Sequence, residues 1–167
     1  MRALADAPSA APAAATPPSP RWVDGVTVPS DVLGPVCVRE ADRYTLASGL
    51  YGFPAARHFA LVPAGHPALC WMQSTVEPSL AFLLADPFQT FADYAPDVPD
   101  AELVQLGEGL APAPERVAVF VVVTLGAGGG ATANLRAPLV LDMHARRGRQ
   151  VVLPAEPRGV CEPLTLH

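Results

Sequence analysis

Three groups of residues have the types and spacing for chemistry, and each needs a particular scaffold before it can act. Gly126-x-Gly128-x-x-Ala131 follows an apolar run and fits the dinucleotide fingerprint G-x-G-x-x-A. That fingerprint works only when a helix comes next, because the helix N-terminus holds the pyrophosphate. Here Pro138 and β-branched residues come next, and the nearest downstream acid is Asp142. The glycines therefore read as a strand connection. His66 and Cys70 have the i, i+4 spacing of two metal ligands on a helix, but Pro67 lies between them in a loop-to-strand context. The chain has no G-x-S-x-G elbow to present a nucleophilic serine. Arg146-Arg147-Gly148-Arg149 has the donors to grip phosphate. It lacks the interleaved aromatics of a nucleic-acid surface and reads as a charged turn.

Charge is distributed unevenly. All eleven basic residues are Arg, and the formal net charge is −5. Between Arg57 and Arg116 there is no Lys or Arg, but there are Glu77, Asp86, Asp93, Asp97, Asp100, Glu102, Glu108 and Glu115. These carboxylates lie largely in proline-broken loop and read as a solvated face. The zone suits solubility or a basic partner and argues against nucleic acid on that face. Cys37, Cys70 and Cys161 are odd in number and lack C-x-x-C spacing. They read as small buried residues of a reducing compartment, not as a disulfide framework or zinc site.

The elements that must position these groups are short. A chain of 167 residues, half of them hydrophobic, is one domain by the usual prior and can build a core without disulfides. Residues 1–20 are mostly Ala, Pro and Ser and read as a disordered tail, leaving 21–167 as the domain. That tail has a small-residue character, but its prolines interrupt any signal-peptide core. Strands are expected at 26–32, 36–38, 44–46, 58–62, 69–74, 80–85 and 116–125. The second and third of these are expected to form a hairpin around the charged turn 39–43. Residues 89–99 read as loop. A short helix is expected over 100–107, with Asp100 as its cap. The last hairpin is expected to pair 139–143 with 150–153 around a tip at 145–149. Pro138 suits the first residue of a strand. Many short strands between turn signals, with one or two short helices, give an all-β, mostly antiparallel barrel-like or sandwich domain.

Several segments then carry a resemblance. Thr132-Ala133-Asn134-Leu135-Arg136-Ala137-Pro138 leads into a strand, an R-x-G-x-Q turn at Arg146 to Gln150, and another strand. Upstream stand Gly49-Leu50-Tyr51-Gly52-Phe53, then Trp71-Met72-Gln73-Ser74, then Asp86-Pro87-Phe88, then a short acidic helix. In this order they resemble the bacterial flagellar assembly factor FliW family, over about residues 34–153. Ser48 and Tyr51 depart from the family's N-G-L-P-G-F segment, and Arg158 to Leu164 departs from its C-terminal run.

The resemblance implies a non-enzymatic, cytoplasmic regulatory protein, monomeric by itself, with no cofactor, no metal and no direct contact with nucleic acid or membrane. Its implied partners are the translational repressor CsrA, which it keeps from silencing flagellin mRNA, and flagellin. An RNA-binding β-barrel resting on the arginine tip, and a nucleotide-dependent enzyme resting on the glycine loop, are the alternatives. Candidate partner-contact residues are Asp86, Phe88, Asp93, Asp97 and Glu102 in the acidic zone. On the signature side they are Thr132, Asn134, Leu135, Arg136, Arg147 and Gln150. Asn134 also has the chemistry to order the strand lead-in through its side chain, and Leu135 reads as core or contact.

Overall fold

The structure is a computed structural model that describes residues 25–107 and 111–166. The tail expected to be disordered, residues 1–20, lies outside them, as does Glu108 of the acidic zone. Eleven strands form among the described residues: β1 (Gly25–Val28), β2 (Val36–Arg39), β3 (Arg43–Leu46), β4 (His58–Pro63), β5 (Leu69–Ser74), β6 (Ala81–Ala85), β7 (Val117–Leu125), β8 (Ala131–Ala133), β9 (Leu139–Asp142), β10 (Arg147–Gln150) and β11 (Glu162–Pro163). Two short helices, α1 (Pro87–Thr90) and α2 (Asp100–Val104), lie between β6 and β7.

Seven strands close a barrel in the order β7-β6-β5-β4-β3-β10-β9, with β9 returning to β7. Every neighbour in the ring is antiparallel except β10 and β3, which run parallel. Closure leaves no open edge in the ring. The long apolar β7 makes it possible, because one of its edges serves two partners. Residues 117–120 pair with β9, and residues 123–125 pair with β8, which in turn pairs with β11. β1 and β2 form a separate two-stranded sheet against β4.

The barrel interior is filled by Tyr44, Leu46, Phe59, Met72, Leu84, Leu139 and Leu141. Leu50 reaches this core from the loop after β3. Gly49 makes that possible: its φ is +65°, and a Cβ there would meet the Phe53 carbonyl oxygen at 2.5 Å. Gly148 answers a different constraint. It sits on β10 between β9 and β3, and a Cβ would strike a Leu141 methyl at 2.3 Å.

Five expectations need correction. The run 36–46 is not a hairpin: β2 pairs with β1, β3 pairs with β4 and β10, and residues 40–42 form a 3-10 turn. The last hairpin turns earlier than its composition suggests. Asp142 Oδ1 accepts from the His144 and Ala145 amides, each at 2.9 Å, which closes the turn at 143–146 and frees Arg147–Gln150 to be β10. Asp100 is not the cap of α2, because Pro99 occupies that position. Residues 87–90, partly read as loop, form α1. Asp86 caps it, accepting from the Phe88 amide at 3.0 Å, and Pro87 follows, preset for a helix start. Of the cysteines only Cys70 is even partly buried; Cys37 and Cys161 are exposed, and all three are free.

Candidate functional site

The signature segment owes its position to a register break. Val123 of β7 faces Ala133, and Phe120 faces Leu139. Residues 121–122 of β7 therefore lie opposite 134–138, so the signature loops out of the sheet as a wide bulge. A bulge strips backbone groups of ladder partners, and buried ones must find others. Here they do. The Leu135 amide donates to the Gly159 carbonyl at 3.2 Å, and its carbonyl accepts from the Tyr94 hydroxyl at 2.8 Å. The Arg136 carbonyl accepts from the Leu153 amide, and the Pro138 carbonyl from the Val151 amide, each at 2.9 Å.

Side chains complete the network. Asn134 Oδ1 accepts from the Ala137 amide at 3.0 Å, which folds the bulge on itself. Gln150 Nε2 donates to the Ala137 carbonyl at 3.0 Å while its Oε1 accepts from the Tyr51 amide at 3.0 Å. One glutamine thus ties the bulge to the glycine-rich loop after β3. Arg136 is exposed, and its guanidinium donates to the Glu156 carbonyl at 3.2 Å. Leu135 has no exposed surface and packs with Ala85, Tyr94, Val121, Val123 and Ala133. Its side chain is part of the core. Thr132 is half-buried on β8 between Thr124 and Pro163.

The acidic segment is built differently. Asp86 spends both oxygens locally, on the Phe88 amide and on Gln89 Nε2 at 2.6 Å. Phe88 is 54% exposed, with its ring 6.2 Å from that of Tyr94. Tyr94 is the anchor: it is 4% exposed, and burial, assisted by Glu156, pushes its phenol up to about 12. Asp93, Asp97 and Asp100 are exposed. Glu102 is half-buried and forms an ion pair with Arg149 of β10 at 2.7 Å. Leu106, 1% exposed, packs with Val140, Val151 and Leu153, which seats α2 on the barrel. The result is a ledge, residues 88–104, pinned at both ends and exposed along its carboxylates. Tyr94 was missed by motif reading; its one signal was an aromatic ring in an otherwise polar, proline-marked loop.

Asp142 anchors the turn between β9 and β10. Asp142 is fully buried and accepts from Arg116 at 2.7 Å besides its two amides. Burial acts to raise its pKa, but the amides and the guanidinium outweigh it and hold the carboxyl below the usual range. Arg147 is exposed at the start of β10.

The remaining chemical candidates separate cleanly. Gly126–Gly130 is a tight connection, with the Gly126 amide donating to the Gly130 carbonyl at 2.7 Å, and β8 follows at once. There is no helix N-terminus for a pyrophosphate at that point. His66 Nδ1 accepts from the Ala68 amide at 3.2 Å. Burial, then the Asp86 charge, pushes the Cys70 thiol up to about 12, far from a reactive thiolate. Among the described residues no three His, Cys, Asp or Glu are grouped to hold a metal, and no helix is long and apolar enough to cross a membrane.

The sequence motifs and the fold point the same way in comparison with known proteins. The family model described as FliW protein matches residues 27–164. The flagellar assembly factor FliW of Symbiobacterium thermophilum is 37% identical over 124 residues, which is 72% of this chain and 88% of that protein. The FliW proteins of an Exiguobacterium species and of Treponema pallidum are 37% and 36% identical, over 75% of this chain and 86% and 83% of theirs. A crystal structure of the flagellar assembly factor FliW superposes with a TM-score of 0.75 at 29% identity, covering 85% of this chain and 99% of that one. This chain, with its signature bulge clamped into a closed β-barrel, belongs to the FliW family.

Proposed function

We propose that this chain is a non-enzymatic partner switch of flagellar assembly. It binds the translational regulator CsrA, relieving repression of flagellin mRNA, and it binds flagellin, which releases CsrA. Family membership supports the flagellar role. The observation that carries the binding reading is the ledge at residues 88–104. It presents Asp93, Asp97 and Asp100 to solvent, with Phe88 exposed beside them. The stretch between Arg57 and Arg116 contains no Lys or Arg, and of the ledge's carboxylates only Glu102 has an arginine partner among the described residues. An RNA-binding partner presents basic surface, and complementary fields accelerate encounter.

Partner switching is a coupling of two binding equilibria. Calorimetric titration with CsrA from the same organism is therefore the test, repeated with flagellin already bound. The proposal expects a saturable CsrA isotherm that flagellin suppresses. Absence of CsrA binding, or binding indifferent to flagellin, refutes it. The same reading makes the protein a cytoplasmic monomer, which a sedimentation run on the free protein checks.

A further inference from the structure

The side of the barrel at β3, β4 and the β9–β10 turn carries a groove of about 510 Å³ that the flagellar reading leaves unused. Its walls include Arg43, Arg146 and Arg147, with Glu40 as the only carboxylate among the described residues. This basic lining stands on a chain of net charge −5. The described carboxylates nearby have closer arginines, although the Asp42 carboxylate also feels the Arg146 charge. Glu40 pairs with Arg43 at 2.7 Å, and Asp42 pairs with Arg39 through two bonds of 2.7 and 2.9 Å. Arg146 has no carboxylate within ion-pair distance among the described residues. Its guanidinium donates to the Tyr44 hydroxyl at 2.6 Å and lies 5.4 Å from that ring's centroid.

The backbone makes this placement unusual. Arg146 is the only non-glycine residue among those described with a positive φ, +56°. A long side chain in the left-handed region is disfavoured, and such outliers concentrate where geometry serves a function. The strain is held by the turn: the Arg146 amide donates to the Asp142 carbonyl, and its own carbonyl accepts from the Thr45 amide, both at 2.9 Å. Along the wall Thr45 Oγ1 and His58 Nδ1 stand 3.5 Å apart, both residues exposed, and supply further polar contacts.

We propose that this groove binds a small oxyanion of the phosphate class, with the Arg146 guanidinium as principal donor and Thr45 and His58 beside it. A planar guanidinium preset by an aromatic ring and a phenol makes bidentate bonds to such a group without reorganising. The volume suits a small ligand. RNA is disfavoured, because the aromatic rings of the lining, Tyr44 and Phe59, are 3% and 0% exposed and offer no face to a base.

The test follows the arginine Nε–Hε signals by NMR as inorganic phosphate replaces chloride at constant ionic strength. The expected result is a saturable shift of the Arg146 signal with the Arg149 signal still. Arg146→Asn keeps a residue that tolerates the left-handed region and should weaken phosphate binding about tenfold or more. Thr45→Val, which leaves the Arg146–Tyr44 pair intact, should weaken it several-fold, so the proposal stays testable if the first variant fails to fold. A shift that grows linearly without saturating, or phosphate binding followed at the Thr45 and His58 backbone amides that keeps its affinity in both variants, overturns the proposal. So does micromolar binding of single-stranded RNA that phosphate does not displace. None of these readouts involves CsrA or flagellin, so the groove and the partner switch stand or fall separately.

Discussion

The signature bulge at residues 134–138 and the acidic ledge at residues 88–104 meet at Tyr94, yet they use their polar groups in opposite ways. In the bulge, backbone carbonyls and amides are taken by Tyr94, Gly159, Leu153 and Val151, and the Asn134 and Gln150 side chains are spent inside the protein. On the ledge, Asp93, Asp97 and Asp100 face water. Both regions carry motif residues, Asn134 to Pro138 in the bulge and Phe88 with the short acidic helix on the ledge, but they spend their polar groups differently. The contrast separates motif residues consumed in building the fold from a surface left open, which the proposed function assigns to recognition.

Substitutions can break or sharpen that contrast. Leu135→Ala opens a cavity in a fully buried cluster and should cost about 3 kcal/mol of stability, seen as a fall in the denaturation midpoint. At temperatures where the variant stays folded, CsrA affinity should be unchanged. If affinity falls while stability holds, the bulge is a contact after all. Asp142→Asn comes next: its one oxygen can still serve the two turn amides, but an NH2 donor now faces the Arg116 guanidinium and the charge is gone, for a loss of about 2 kcal/mol at neutral pH.

The pH dependence of that loss is specific. The folded-state pKa of Asp142 is depressed. Its contribution is therefore present above the unfolded value of about 3.9 and disappears as pH falls through the folded value. The stability curves of wild type and variant should converge below about pH 4, and a constant gap down to pH 2 would show that Asp142 acts by packing alone. Asn134→Ala should cost about 1 kcal/mol through the lost bond to the Ala137 amide, with CsrA affinity spared. A tenfold weaker complex at unchanged stability would restore Asn134 as a contact.

What could be read from the chain divides along the same line. The strands β4 to β7 are legible because their apolar runs are continuous and bounded by turn residues. The turn at 143–146 is not, because the Asp142 side chain sets it and alternation gives no hint of a buried carboxylate. Nor is the parallel pairing of β10 with β3, which joins residues about a hundred positions apart. The C-terminal run 158–164 departs from the family pattern, yet it is built in. β11 pairs with β8, and Gly159 accepts from Leu135. Backbone bonds like these are indifferent to the side chains that a motif comparison reads.

Among the candidate contacts, side-chain type was legible but engagement was not. Glu102 and Asp97 look alike in sequence; only the structure shows Glu102 held by Arg149. Asp86 likewise looks like an available carboxylate and is a helix cap.

The central claim is that the ledge recognises the partner while the bulge holds the fold. Its most direct test is the rate at which CsrA associates with the triple variant Asp93→Asn, Asp97→Asn, Asp100→Asn. Exposed charges contribute little to stability and much to encounter. The account predicts an unchanged melting temperature and association slowed about tenfold at low salt, with the difference shrinking near 0.5 M salt, where the Debye length is about 4 Å. Association at the wild-type rate in low salt would contradict it.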